Sequence, residues 1–232
     1  MRTVNPQRVE NRRRQILDAA RFCFEQKGFH ATSMAEICAR AEMSPGALYR
    51  YFSSKEEIIV AMSEETNFQA IDSLRTKTED VKNGSNFLDA IHGLLTEIAA
   101  TNFSKDQGAL CAESISEAMR NIQFANAASI AYIEYQELFA QLLELGKNQG
   151  AIDEDQDTLE LAAILMAIVD GMVLRMAFDS DFKSETAVKW IGNLFCRYLT
   201  SEAKDYVSNN FGKPICIVDF KNTRFPGGQF DE

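Results

Sequence analysis

From residue 46 to residue 213 the sequence contains no proline; its four prolines are Pro6, Pro45, Pro214 and Pro226. A proline inside a helix loses one backbone hydrogen bond and clashes with the preceding turn, at a cost of about 3 kcal/mol. A proline-free run this long is what a series of consecutive helices leaves behind. Glycine is also scarce, with 12 in 232 residues. The expected fold class is therefore all-α. The apolar stretches are helix-sized but not membrane-sized: the longest continuous run, Leu161 to Val169, is nine residues, where about 20 are needed to span a bilayer. No membrane partner is expected. The N-terminus is rich in arginine but has no apolar segment behind it, so it does not read as a secretory signal.

The five cysteines, Cys23, Cys38, Cys111, Cys196 and Cys216, are scattered, odd in number and never spaced as CxxC. That suits reduced thiols in a cytoplasmic protein better than a disulfide frame or a zinc site.

Net charge is −10 for the whole chain, which taken alone argues against a polyanionic partner. The average conceals two blocks. Residues 1–55 hold 10 basic and 5 acidic side chains; residues 56–232 hold 14 and 29. A unit of net charge +5 is followed by a body of −15, and the two blocks suggest two tasks.

The basic unit is densely punctuated. Ile16, Leu17, Ala20, Cys23 and Phe24 recur at helical spacing, and Gly28 follows as a C′ glycine, so a first helix is expected over about 8–27. Ser33-Met34-Ala35-Glu36 is a capping box that opens a second helix, running to about residue 40. After a turn at Glu42-Met43, Ser44 stands as N-cap and Pro45 as N1 of a short third helix ending near Tyr51. Ser54-Lys55-Glu56-Glu57 is a second capping box and opens helix four. Two short helices across a three-residue turn make a helix-turn-helix candidate. Its second helix must be narrow at the start for base edges to be reached in the major groove. Ser44, Pro45, Gly46 and Ala47 are small, and Arg50 can fork onto guanine. Tyr49, Tyr51, Lys55, Thr32, Ser33 and Arg12 to Arg14 are candidate phosphate or sugar contacts. Arg12 to Arg14 read equally well as a solvated face.

The run from Thr32 to Lys55, TSMAEICARAEMSPGALYRYFSSK, resembles the helix-turn-helix of TetR-family transcriptional regulators, and Ile16 to Ala20 with Gly28-Phe29 extend the likeness across residues 12–58. The resemblance implies phosphate or sugar contacts from Thr32, Ser44, Tyr49, Tyr51 and Lys55. It implies that Pro45, Gly46, Ala47 and Arg50 face the groove. The sequence departs from the pattern at Glu42, where the family usually has glycine in a position that tends to need φ > 0. It also departs at Cys38 and Met43, both apolar replacements.

The expected organisation is a helix-turn-helix DNA-binding domain over 1–54, a helical ligand-binding and dimerisation domain over 55–203, and a tail of unassigned role over 204–232, with a β-like run at Ile215 to Phe220. Helix four links the two domains. Further helices are expected over 86–102, 108–121, 123–148, 157–179 and 185–203, with Asp157 and Ser184 as N-caps.

Residues 159–178 are apolar nearly all round, so this helix is buried on two sides. Leu159, Ala162, Ala163, Met166, Val169 and Val173 are read as its core face. Leu161, Ile164, Leu165, Ile168 and Met172, with Trp190 and Leu194 of the next helix, are read as the face for a second copy. In the resembled family the last two helices form the dimer interface, and a homodimer suits a palindromic operator of double-stranded DNA. A large monomer core is the alternative.

For a small-molecule effector, the candidate residues are His92, Glu113, Glu117, Met119, Tyr132, Tyr135, Phe139, Met166, Asp170 and Arg175, although core packing or surface placement is the default for each. Asp170 and Arg175 sit inside an apolar helix and need partners if buried.

No HExxH, Gly-rich phosphate loop, GxSxG or helical ExxH occurs, and there are only two histidines. Neither cofactor nor metal is expected, and the chain does not read as an enzyme. The expected function is that of a homodimeric repressor released from its operator by a small hydrophobic ligand. Two alternatives stand beside it: an α-helical ligand-binding or enzymatic protein whose N-terminal unit is purely structural, and a DNA-binding dimer with no inducer.

Overall fold

The computed structural model describes residues 6–101 and 105–211. Within them the elements are α1 (Pro6–Ala31), α2 (Met34–Arg40), α3 (Pro45–Leu48), α4 (Lys55–Lys82), α5 (Phe87–Thr101), α6 (Lys105–Ala118), α7 (Ile122–Asn148), α8 (Thr158–Met176), α9 (Ser184–Phe195), a 3-10 turn (Cys196–Tyr198) and α10 (Ser201–Asn210). No described residue belongs to a β-strand; an isolated bridge joins Ile152 to Leu199.

Two apolar cores divide the molecule. The N-terminal one gathers Ile16, Ala20, Phe24, Phe29, Ile37, Leu48, Phe52 and Ile58, all buried. The body core is built on Leu74, Phe87, Leu142, Leu143, Ile152, Leu161 and Leu199. Each such side chain contributes about 1.5–3 kcal/mol on burial. A smaller cluster of Val173, Phe182, Ala187 and Ile191 closes the α8–α9 end. Helix α4 serves both main cores: Ile58, Ile59 and Met62 point into the first, Leu74 and Val81 into the second. Leu110 of α6 and Phe124 of α7 also enter the N-terminal core, so the basic unit is seated on the body by three helices.

Local chemistry sets the helix ends. The regular turns of α1 stop at Gly28, whose φ of 76° only glycine adopts without strain. The Ser33–Glu36 capping box forms in full: the Ser33 hydroxyl accepts from the Glu36 N–H, and the Glu36 carboxylate accepts from the Ser33 N–H. A hydrogen bond from Lys27, then those from Ser33, hold the Glu36 carboxyl down to about 2. After α2 the Met43 N–H reaches the Cys38 carbonyl and the Glu42 N–H reaches Ala39, with Glu42 at φ 51°. This is a Schellman motif with glutamate in the left-handed position, the conformation expected at the site where the resembled family carries glycine. At α4 the box is shared between neighbours: Ser54 accepts from the Glu57 N–H, while the Glu57 carboxylate accepts from the N–H of Ser53 rather than of Ser54. Asp157 caps α8 as expected, taking the Leu159 and Glu160 N–H groups.

The C-terminal end departs from the expected single helix over 185–203. Ser184 is the first helical residue of α9; its N-cap is Lys183, with no side-chain cap. Helix α9 then ends in the 3-10 turn, Leu199 becomes extended, and the Thr200 N–H bonds the Ala151 carbonyl at 3.0 Å. Thr200 caps α10 through the Ala203 N–H. The stretch from 204 therefore begins as helix, held on the body by Tyr206 and Phe211. The β-like run Ile215 to Phe220 lies outside the described residues, as does Cys216.

Candidate functional site

The start of α3 presents a surface of small, unengaged groups. Ser44, Pro45 and Gly46 are exposed, and Ala47 is half-buried. Ser44 makes no side-chain cap, which leaves its hydroxyl open. Tyr49 is 52% exposed, and Arg50 is exposed beside it. Leu48, by contrast, is fully buried and anchors the helix in the N-terminal core. Ser33 is exposed at the start of α2. These residues form one face that a duplex can approach.

Three of the expected DNA contacts are engaged within the chain. Thr32 is 2% exposed, and its hydroxyl lies 2.9 Å from the Gly28 carbonyl and 3.2 Å from that of Cys23. It closes the end of α1. The Lys55 ammonium donates to the carbonyls of Phe29, His30 and Thr32 at 2.5, 3.3 and 3.0 Å. An ammonium has three protons, and all three are engaged in ending α1. Tyr51 is half-buried against the N-terminal core, and its carbonyl accepts from Arg13. Arg13 itself lies over the Phe52 ring at 4.4 Å. Of the arginine triplet, only Arg14 is exposed.

The Gly28–His30 segment also meets the body. The Phe29 N–H donates to the Glu113 carboxylate of α6 at 3.2 Å. A Cβ on residue 28 would stand 2.7 Å from Glu113 Oε1, so glycine is needed there for the approach as well as for φ. Just beyond the end of α6, Arg120 lies 2.6 Å from His30 Nε2. Gly108 at the other end of α6 is buried, and a Cβ there would meet the Val173 carbonyl at 2.6 Å. Helix α6 thus runs from backbone contact with α8 to direct hydrogen bonds with the basic unit.

The ten expected effector residues scatter. Glu113 serves the contact just described. Glu117 accepts from Asn121. His92 is exposed and stacks on Phe211 at 4.1 Å. Met119 is 83% exposed at the end of α6. Phe139 belongs to the buried body core. Arg175 is exposed, paired with Asp179 and lying over the Phe182 ring. These six do not come together at one place. Their spacing could not reveal which helix each would face.

Of the remaining four, Tyr135 and Met166 pack against the body core, while Tyr132 and Asp170 are exposed. The Asp170 carboxylate raises both tyrosine hydroxyls and the Cys111 thiol. Burial is the larger cause in each case, and it takes Tyr135 up to about 12, with Glu97 adding to it. Asp170 is itself raised by desolvation, although the residue is exposed. Cys111 was missed in the sequence. It carries no local signal, and only the crossing of α6 over α8 brings it to Asp170. Among the described residues, no group of His, Cys, Asp and Glu is placed to hold a metal.

The two faces of α8 are partly exchanged relative to expectation. Leu161 and Leu165 are buried in the body core of the same chain, whereas Leu159 is half exposed. Leu194 packs against that core too, and Met172 packs on the Val173 cluster. Of the residues read as the face for a second copy, those left outward are Ile164 at 42% exposure and Trp190 at 41%, with Ile168 half-buried. Trp190 rests against Phe182, ring centres 5.7 Å apart.

A compact basic unit that displays a short recognition helix, seated on an acidic helical body, defines a helix-turn-helix regulator of the type that couples DNA binding to a second domain. The comparisons agree. Residues 16–62 match the profile of bacterial regulatory proteins of the tetR family, and residues 88–200 that of the BetI-type transcriptional repressor C-terminal domain. The HTH-type transcriptional regulator UidR of Escherichia coli K12 is 32% identical over 161 residues, 69% of this chain and 79% of the relative. GusR of Salmonella enterica superposes with a TM-score of 0.57 at 28% identity, covering 84% of this chain and 98% of its own. A regulator from Saccharomonospora viridis in complex with choline shares the fold at a TM-score of 0.67 and 18% identity, over 82% and 98% of the two chains. The chain belongs to the TetR family and is a DNA-binding transcriptional regulator. No helix among the described residues is long and apolar enough to cross a membrane.

Proposed function

We propose that the protein is a homodimeric repressor that binds a palindromic operator and is released by a small molecule bound in its helical body. The observation that carries this reading is the division of labour around α6. Near its start that helix packs on the α8 backbone through Gly108, and further along Glu113 and the following Arg120 hydrogen-bond the segment that ends α1. A ligand that binds better when α6 is shifted moves the basic unit with it, and only such differential affinity changes the operator equilibrium. Ser33, Ser44, Pro45, Gly46, Ala47, Tyr49 and Arg50 contact the DNA; Arg50 reads a base and the others set position. Two copies pair through the outward stripe of α8 and α9, using Ile164, Ile168 and Trp190, so that their recognition helices meet successive major grooves.

The test is a mobility shift on the region upstream of the protein's own gene across a salt series. Binding that weakens steeply with salt, at one protected site of two-fold symmetry, supports the reading. Absent or salt-independent binding overturns it.

A further inference from the structure

The basic unit meets the body near the end of α1 through two hydrogen bonds of different chemistry. The first runs from the Phe29 N–H to the Glu113 carboxylate at 3.2 Å, and its donor is a backbone amide. The second joins Arg120 Nη2 to His30 Nε2 at 2.6 Å. Arg120 lies in the turn between α6 and α7, just before Asn121, the N-cap of α7. Its guanidinium also donates to the Ser116 hydroxyl at 3.1 Å, and among the described residues it forms no ion pair. A guanidinium only donates and keeps its charge at every working pH. His30 Nε2 must therefore accept, which assigns a neutral imidazole with its proton on Nδ1. A protonated imidazole carries a donor on both nitrogens. It would set N–H against N–H and one positive charge against another. The contact thus exists only while His30 is neutral.

The charged groups around His30 do not offset that change. From α4, the Lys55 ammonium sits on the His30 carbonyl and is a further cation. From α6, Glu113 is engaged by the Phe29 N–H and Glu117 by Asn121. On α1 itself, Lys27 is paired with Glu36 of α2. His30 also stands on the connection that leads through Thr32 and Ser33 into the helix-turn-helix, so a hold on its ring is a hold on the orientation of the reader.

We propose that Arg120 is a positioning residue for DNA binding that acts through His30: it fixes the basic unit on the body while the imidazole is neutral and gives up that hold on acidification. The proposal requires a DNA-binding protein, which the family supplies, and neither a repressor nor an effector. The Glu113 bond and the packing of Leu110 and Phe124 in the N-terminal core involve no imidazole. The unit therefore stays folded and attached in acid but is freer to tilt. The gate falls within about pH 5–8, where histidine is the side chain that ordinarily changes charge. The sequence has only His30 and His92, and His92 stacks on Phe211 of the body, which makes His92→Gln the control.

The experiment compares Arg120→Ala with the parent in the full-length protein at about pH 8 and about pH 5.5, in the natural and the His30→Gln backgrounds. Two quantities are read at each pH: the melting temperature at fixed protein concentration, and the affinity for a duplex carrying the site bound upstream of the protein's own gene. Each is taken relative to the parent at the same pH and salt, so that general effects of acid on DNA binding cancel. At the higher pH, Arg120→Ala should lower the melting temperature by about 2–4 °C, as the loss of one hydrogen bond does in a chain of this size. It should also change the duplex affinity by about threefold to tenfold. At the lower pH both differences should vanish. Arg120→Lys keeps a donor and should recover part of each at the higher pH. In the His30→Gln background an amide acceptor is present at every pH, so the effect of Arg120→Ala should be the same at both; His92→Gln should leave the pH dependence intact. Equal effects at both pH values in the natural background overturn the gate, and an unchanged melt at the higher pH overturns the contact. A lowered melt with unaltered duplex affinity overturns the positioning role and leaves a structural tie. The salt-series assay decides separately whether the protein is a repressor.

Discussion

Glu113 of α6 accepts a hydrogen bond from the Phe29 N–H of the basic unit, 84 residues away in sequence, at the point where the regular turns of α1 stop. The bond satisfies a donor that the break at Gly28 leaves without a helical acceptor, and it ties a body helix to the segment that Lys55 and Thr32 also hold. Glu113→Ala should therefore lower stability by about 1 kcal/mol, the ordinary loss for a half-exposed hydrogen bond to a charged group. It should also reduce the effect of ligand on operator affinity more than it changes ligand affinity. Denaturant melts and mobility shifts with and without ligand check both. An unchanged ligand response would show that α6 does not carry the signal through this bond.

Lys55 and Arg50 should part company on mutation. Lys55→Ala leaves three carbonyls without their donor and is expected to cost about 1–3 kcal/mol in stability. The salt slope of DNA binding should stay the same, because no phosphate contact is lost. Arg50→Ala should leave the melt unchanged and lose about 1–3 kcal/mol of discrimination at a single base position. A salt slope reduced by about one in the Lys55 variant would return Lys55 to the phosphate backbone.

Glu42 occupies a left-handed position at φ 51° and is exposed. A non-glycine residue bears a penalty of about 1–2 kcal/mol there, offset in part by the greater freedom glycine has in the unfolded chain. Glu42→Gly should raise stability by about 1 kcal/mol without altering DNA affinity. A destabilised variant would mean that the glutamate side chain supports the turn.

Asp170 gives a pH-dependent signature. Its folded-state pKa is raised by desolvation, so its protonated form favours the folded state. The chain is relatively more stable below the ordinary aspartate range and loses that contribution as pH rises through the raised value. Asp170→Asn should accordingly melt higher than the parent at neutral pH, and the difference should shrink as the solution is made acidic. A difference independent of pH would contradict a desolvated carboxylate.

The local elements were legible in the sequence because their causes lie within a turn or two. Ser33 and Glu36 cap across three residues, Gly28 and Glu42 take up the left-handed conformation at helix ends, and Asp157 caps the amides just after it. The split of the last predicted helix was less legible. Leu199 is drawn into an extended pairing by Ile152 and Thr200 by Ala151, about 50 residues earlier, and periodicity carries no trace of such partners.

The sequence by itself determined an all-helical chain, a basic helix-turn-helix ahead of an acidic body, and the small-residue face at Ser44 to Ala47. All of these follow from backbone propensity, capping and charge order. Only the tertiary structure decided which apolar side of α8 is core, since a helix apolar on both faces satisfies its periodicity in either orientation. Neighbouring helices select Leu161 and Leu165 for the interior and leave Ile164 outside. The tertiary structure likewise placed the Lys55 ammonium against the carbonyls that end α1. It also set Gly108 of α6 against the α8 backbone and Glu113 against Phe29, because contacts between helices depend on how those helices cross.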